Sequence, residues 1–239
     1  MTSEGQQRPP AVVRVADLVA RGLIAPEAAP AIERVTQDFS LRITADMAAA
    51  IDPADPADPI ARQFVPGTAE LDIAPEEVAD PIGDGVHEIA PGLIRRYPDR
   101  ALLKPTHLCQ VYCRFCFRRE TVGTAKGGML SPQALETALD YIRARPQIWE
   151  VILTGGDPFV LSPRRIRAVT KQLGAIPHLR VIRWHTRVPV VQPEAVTQSL
   201  VSALKSSEKA VFVAVHANHA REFTAEARAA LARLADQGI

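Results

Sequence analysis

The chain has 239 residues, 47% of them hydrophobic and 23% charged, which is enough apolar content to bury a sizeable core. A formal net charge of +1 gives no global electrostatic pull toward nucleic acid. The opening MTSEGQQRPP lacks the apolar core of a secretory signal, and no stretch approaches the roughly 20 apolar residues of a membrane span, so a cytoplasmic protein without membrane partners is expected.

Two regions are expected: a helical and Pro/Asp-rich preface over 1–98 and an α/β unit over 99–239. Residues 1–10 read as disordered. Helical spacing recurs over Val12–Arg21 and Ala28–Phe39, with Pro26 and Pro30 near a helix start. Thr44–Ile51 reads as a third helix, with Thr44 as its cap and Asp46 in its first turn. Proline and aspartate then recur through residues 51–85, a composition that cannot sustain long helices or central strands. On composition alone this stretch reads as a linker.

From Asp99 the pattern alternates. Apolar runs at Ala101–Leu108, Trp149–Thr154, Val181–His185 and Ala210–Val215 predict strands. Ser131–Arg145, Pro163–Leu173, Pro193–Leu204 and Thr224–Asp236 predict helices, two of them announced by Ser-Pro pairs. Four βα units imply a parallel sheet, and an α/β barrel places its chemistry at the carboxyl ends of its strands. There the chain carries Gly155-Gly156-Asp157-Pro158, whose paired glycines would let backbone lie against a ligand, although Gly-Asp-Pro also makes an ordinary turn. Strand three alternates Arg183, His185 and Arg187 with Ile182, Trp184 and Thr186, which suits a polar lumen or an ordinary exposed face. His216 and Asn218 point the same way from the end of strand four.

All three cysteines, Cys109, Cys113 and Cys116, fall on the loop leaving the first of these strands, spaced C-x3-C-x2-C. An odd number of thiols with no distant partner excludes a tidy set of disulfides and fits a reducing compartment. Soft thiolates select zinc, copper(I) or an iron–sulfur cluster. Zinc would need a fourth ligand, such as His107. A [4Fe–4S] cluster held by three cysteines keeps one iron open to activate something else. Three ordinary buried cysteines are the remaining alternative. Arg95, Arg96, Arg100, Arg114, Arg118 and Arg119 flank the loop. Arginine suits phosphate and carboxylate, and aromatic neighbours leave RNA contact as a lesser reading.

RYPDR, the cysteine motif with its trailing Arg118-Arg119, TGGDP, HTRVPVV and HANH recur in an order that resembles the radical S-adenosylmethionine (SAM) superfamily. Within it they resemble the lysine 2,3-aminomutase family and its elongation factor P-modifying relatives, from about Thr44 to the last residue. The resemblance implies a partial (βα)6 TIM-like barrel with an ordered arm over residues 51–85. It implies a [4Fe–4S] cluster on Cys109, Cys113 and Cys116, with SAM on the open iron. Gly155, Gly156, Asp157, Arg187 and His216 would contact SAM. Arg96 and Arg100 would bind the phosphate of pyridoxal 5′-phosphate (PLP), and Arg118 the substrate α-carboxylate. The implied reaction is a 1,2-amino shift, L-lysine to β-lysine, fed by an electron donor such as flavodoxin or ferredoxin in a homo-oligomer.

The pattern also departs from that family. The chain stops at Ile239 after about four βα units, and no PLP-binding lysine is assigned within it: Lys104, Lys126, Lys171, Lys205 and Lys209 all lack the family's glycine-rich setting. A truncated chain, inactive in aminomutase turnover, is therefore expected, with its fourth predicted strand left as an unpaired edge. Arg95 and Glu120 replace residues common in relatives. A radical SAM enzyme without PLP and a non-catalytic zinc or iron–sulfur module are the alternative functions.

Overall fold

A computed structural model describes residues 10–123 and 128–239, and the strand–helix alternation expected from Asp99 onward is present in it. The expected disorder of residues 1–9 and the setting of Lys126 lie outside the described residues. Before the alternation come short helices α1 (Val15–Ala20), α2 (Ala29–Asp38), α3 (Ala45–Ala50) and α4 (Ala61–Phe64). Thr44 caps α3, its Oγ1 accepting from Met47 N. Two short strands follow, β1 (Glu88–Ala90) and β2 (Leu93–Ile94), then β3 (Arg100–Thr106), α5 (Pro132–Arg143), β4 (Glu150–Gly155) and α6 (Pro163–Gly174). The chain continues with β5 (Val181–Thr186), α7 (Val188–Val191), α8 (Gln198–Leu204), β6 (Ala210–Val215) and α9 (Ala225–Ala235).

The sheet runs β1-β2-β3-β4-β5-β6, with β3 to β6 parallel and β1-β2 an antiparallel hairpin added to β3. It is an open α/β sheet, consistent with a partial radical SAM fold, and β6 pairs with β5 alone. The hairpin was not expected. Its strands span three and two residues, too short to show a period. The helix expected over Pro193–Leu204 is interrupted: α7 ends at Val191, Pro193 opens a 3-10 turn, and α8 restarts where Thr197 Oγ1 accepts from Leu200 N. Proline is tolerated only in a first turn, so Pro189 and Pro193 each begin a piece and neither lies inside one.

Strand alternation sorts the sheet faces. Ala101, Leu103, Val151, Leu153, Ile182 and Trp184 are fully buried under α5, α6 and α8. The opposite face carries Arg100, Glu150 and Arg183, with Arg183 Nε 2.7 Å from Glu150 Oε1. A second core joins Leu18, Val35, Met47 and Phe64 of the preface to Val111, Val190 and Val191 at the carboxyl end of the sheet. Residues 51–85 do not form a free linker. Asp58 accepts from Ile60 N and Ala61 N at the start of α4 and pairs with Arg221 at 2.7 Å, while Glu70 pairs with Arg114 at 2.6 Å.

Candidate active site

The site is built where β3 and β4 end. Gly156 N donates to Thr106 O at 2.8 Å and Asp157 N to Leu108 O at 2.8 Å, so the cysteine loop is fastened to the GGDP turn by backbone. Both glycines are required by that approach. A β-carbon on Gly155, whose φ is +106°, would lie 2.6 Å from Thr106 O, and one on Gly156 would lie 2.3 Å from Leu108 O. The side a β-carbon would take is occupied by the chain's own loop, which the glycines allow to come close.

Asp157 is likewise a tie. Its Oδ1 accepts from Thr186 Oγ1 at 2.7 Å and Phe159 N at 3.0 Å, and its Oδ2 from Arg187 N at 2.7 Å, which joins the end of β4 to the end of β5. Burial pushes its carboxyl pKa up, and those donors only partly oppose the shift. The same bond turns the backbone at Arg187 out of the strand and into the start of α7. Arg183 and His185 keep the polar face predicted for strand three; Arg187 leaves it. The residue is instead buried, at 7% exposure, with Nη1 2.9 Å from Cys113 Sγ and Nη2 shared between Gln63 Oε1 at 2.8 Å and Glu222 Oε2 at 2.7 Å.

The three cysteines are half-buried free thiols facing one cavity of about 780 Å³. Burial pushes all three pKa values up, while Arg187 opposes the shift at Cys113 and Arg118 with Arg119 at Cys116. Gly155, Gly156, Asp157, Arg187, His216 and Arg118 line the same cavity. Arg118 Nε donates to Asp84 Oδ2 at 2.7 Å, and its Nη1 lies 3.5 Å from Thr154 Oγ1. His216 Nε2 meets Asn218 Oδ1 at 2.7 Å, as their shared direction predicted, and its ring stands edge-on to Phe115. Among the described residues no three His, Cys, Asp or Glu side chains converge on a single-ion site. Three soft thiols around one wide cavity suit a polynuclear iron–sulfur centre.

Arg96 and Arg100 are not brought there. They stand at the amino end of β3, where Arg96 donates to the Ile82 carbonyl and Arg100 pairs with Asp99 at 2.9 Å and lies 3.7 Å from Glu150. Gln63, Asp84 and Glu222 were not anticipated. Gln63 lies 124 positions from Arg187 in the chain, and spacing carries no sign of that contact. Glu222 has one local signal, its place three residues after His219, where it returns Oε1 to the His219 amide as in a capping box.

The model of the radical SAM superfamily matches residues 103–235, and the chain belongs to that superfamily. The family implies a [4Fe–4S] cluster and SAM. More narrowly, the chain is similar to L-lysine 2,3-aminomutases. It is 38% identical over 216 residues to that of Acetoanaerobium sticklandii, covering 90% of this chain and 52% of that protein. It is 36% identical over 208 residues to that of Clostridium subterminale (87% and 50%) and 35% over 201 residues to that of Escherichia coli (84% and 58%). The chain spans about half the length of the curated relatives it matches.

Proposed function

We propose that this chain carries the cluster- and SAM-binding part of a radical SAM isomerase that moves an amino group between adjacent carbons of an amino acid, with L-lysine as substrate and β-lysine as product. The observation that carries the reading is the single cavity shared by Cys109, Cys113 and Cys116 with Arg118, Arg187 and His216. Similarity to the aminomutases over most of the chain supports the choice of substrate.

Cys109, Cys113 and Cys116 would hold the cluster, with Gly155 and Gly156 keeping their loop against the strand ends. When bound, the cluster and SAM supply a hydrogen-abstracting 5′-deoxyadenosyl radical. Val111, Phe115 and Thr186 line the cavity around that chemistry. His216 and Asn218, in mutual contact, would offer polar atoms to the SAM side. Arg118 would meet an anionic group such as an α-carboxylate, with Asp84 and Thr154 fixing the plane of its guanidinium. Delivery of one electron by a flavodoxin- or ferredoxin-like donor, a cytoplasmic setting and homo-oligomeric assembly belong to the same proposal.

PLP enters through the likeness to the aminomutases. Arg96 and Arg100 do not line the cysteine cavity, and a radical SAM reaction without PLP is a second reading. Anaerobic reconstitution followed by metal analysis tests the first step: about four irons per chain supports the cluster, and one zinc supports a metal-binding module instead. Absorbance of bound PLP separates the aminomutase from the second reading.

A further inference from the structure

Arg187 is clamped from both ends of the sequence. Its Nη2 is held by Gln63 of α4 at 2.8 Å and by Glu222 at 2.7 Å, while its Nη1 reaches Cys113 Sγ at 2.9 Å. The holders are themselves fixed. Glu222 is fully buried, and its Oε1 accepts from Gln63 Nε2 at 3.0 Å and from the amides of Asn218 and His219 at 2.9 Å each. Gln63 donates to Pro59 O at 3.1 Å and accepts from Asn218 Nδ2 at 3.0 Å, so its amide cannot flip without losing both. The rings of Phe64 and Phe115 lie 5.2 and 5.7 Å from the guanidinium and limit its sideways movement.

A buried ion pair of this kind is weak evidence of added stability, since desolvation offsets much of the attraction. Its direction is informative: every bond aims Nη1 at one of the three candidate cluster ligands. We infer that Gln63 and Glu222 are positioning residues that hold Arg187 on Cys113 Sγ, and that the preface helix α4 thereby helps set the electron affinity of the cluster. The inference rests on the cluster reading above. A cationic hydrogen bond to a ligating sulfur stabilises the added electron and raises the reduction potential. The step concerned is one-electron reduction, in which the oxidised cluster accepts one electron from an external low-potential donor and no bond is broken.

The test uses the whole chain, reconstituted anaerobically, as wild type, Gln63→Ala, Glu222→Gln and Thr44→Ala. Thr44 caps α3 in the same preface, with its Oγ1 on Val191 O at 2.5 Å and no bond to Arg187. Iron content, thermal melting and a reductive titration with dithionite followed by EPR are measured on each. Gln63→Ala, which leaves every charge in place, is expected to retain iron, to lower the equilibrium constant for reduction about tenfold, about 59 mV for one electron, and to alter the EPR line shape. Glu222→Gln also removes a negative charge near the cluster, which by itself favours reduction, so its potential should lie above that of Gln63→Ala, whereas Thr44→Ala should lower melting without moving the potential. Gln63→Ala leaves the ion pair in place and decides the matter if Glu222→Gln does not fold. A potential unchanged in folded Gln63→Ala, or shifted equally by Thr44→Ala, overturns the inference. A wild-type chain that takes up no iron overturns the parent reading instead.

Discussion

Gly156 faces the Leu108 carbonyl so closely that a β-carbon on the glycine would lie 2.3 Å from that oxygen, with Leu108 N at 2.8 Å on the same side. Both neighbours are backbone, so neither can rotate away. The contact joins the cysteine loop to the strand beside it.

Gly156→Ala should therefore push the cysteine loop off β4. Overpacking of this kind costs about 1–3 kcal/mol, which for a chain of this size lowers melting by roughly 2–12 °C. Far-UV circular dichroism should stay close to wild type while iron uptake on reconstitution falls several-fold. Normal iron loading in a folded Gly156→Ala protein would show that the contact does not set the loop.

Each of Cys109→Ser, Cys113→Ser and Cys116→Ser should abolish stable iron–sulfur loading while leaving the two hydrophobic cores intact. The cysteines are half-buried at the cavity wall, and only Cys113 touches the preface core, from its edge. Iron and sulfide analysis with melting curves checks this. A single variant that keeps a full cluster would remove that cysteine from the ligand set.

Glu222 should contribute an acid-sensitive component of stability. Burial alone would raise its pKa, but hydrogen bonds from Gln63 and Asn218 N and the charge of Arg187 outweigh burial and hold it below the usual value of 4.5. The folded pKa is depressed, so the unfolded chain binds more protons across that interval. The stabilisation is present above about pH 4.5 and is lost as pH falls through the folded value. Asp157, raised by burial, acts in the opposite sense and is unchanged by substitution at Glu222. Urea midpoints between pH 7 and pH 3 should thus fall more steeply below pH 4.5 in wild type than in Glu222→Gln. Parallel curves would mean that the carboxylate is not held as described.

Asp84→Asn should loosen Arg118 without disturbing the cluster. The Arg118–Asp84 pair is about one-tenth exposed on both sides, so losing the charge weakens a desolvated, charge-assisted bond. On the proposed reading of Arg118 as the carboxylate contact, binding of L-lysine to the reconstituted protein, followed by calorimetry, should weaken several-fold while iron content is unaltered. Unaltered lysine binding would separate Asp84 from the carboxylate site.

Much of the site was legible before the fold was known, because its residues sit at strand ends and strand ends are marked by apolar runs. The four parallel strands, the caps Thr44, Ser131 and Ser162, and the cysteine loop all follow from local spacing and turn chemistry. Contacts that close over long chain separations were not legible. Nothing local to Gln63 indicates Arg187, and the alternation that placed Arg183 and His185 correctly continued one residue too far, since it could not register the Asp157 bond that ends β5. The hairpin β1-β2 depends on Gly92, at φ +76°, turning between strands too short to show a period. The phosphate role of Arg96 and Arg100 came from resemblance alone; in the structure they contact Ile82, Asp99 and Glu150.

The most direct measurement is addition of SAM to the reduced, reconstituted chain under anaerobic conditions, with product analysis by chromatography. Release of 5′-deoxyadenosine and methionine, dependent on all three cysteines, is the predicted result. A protein that holds its metal yet neither binds SAM nor cleaves it would contradict the radical-forming site.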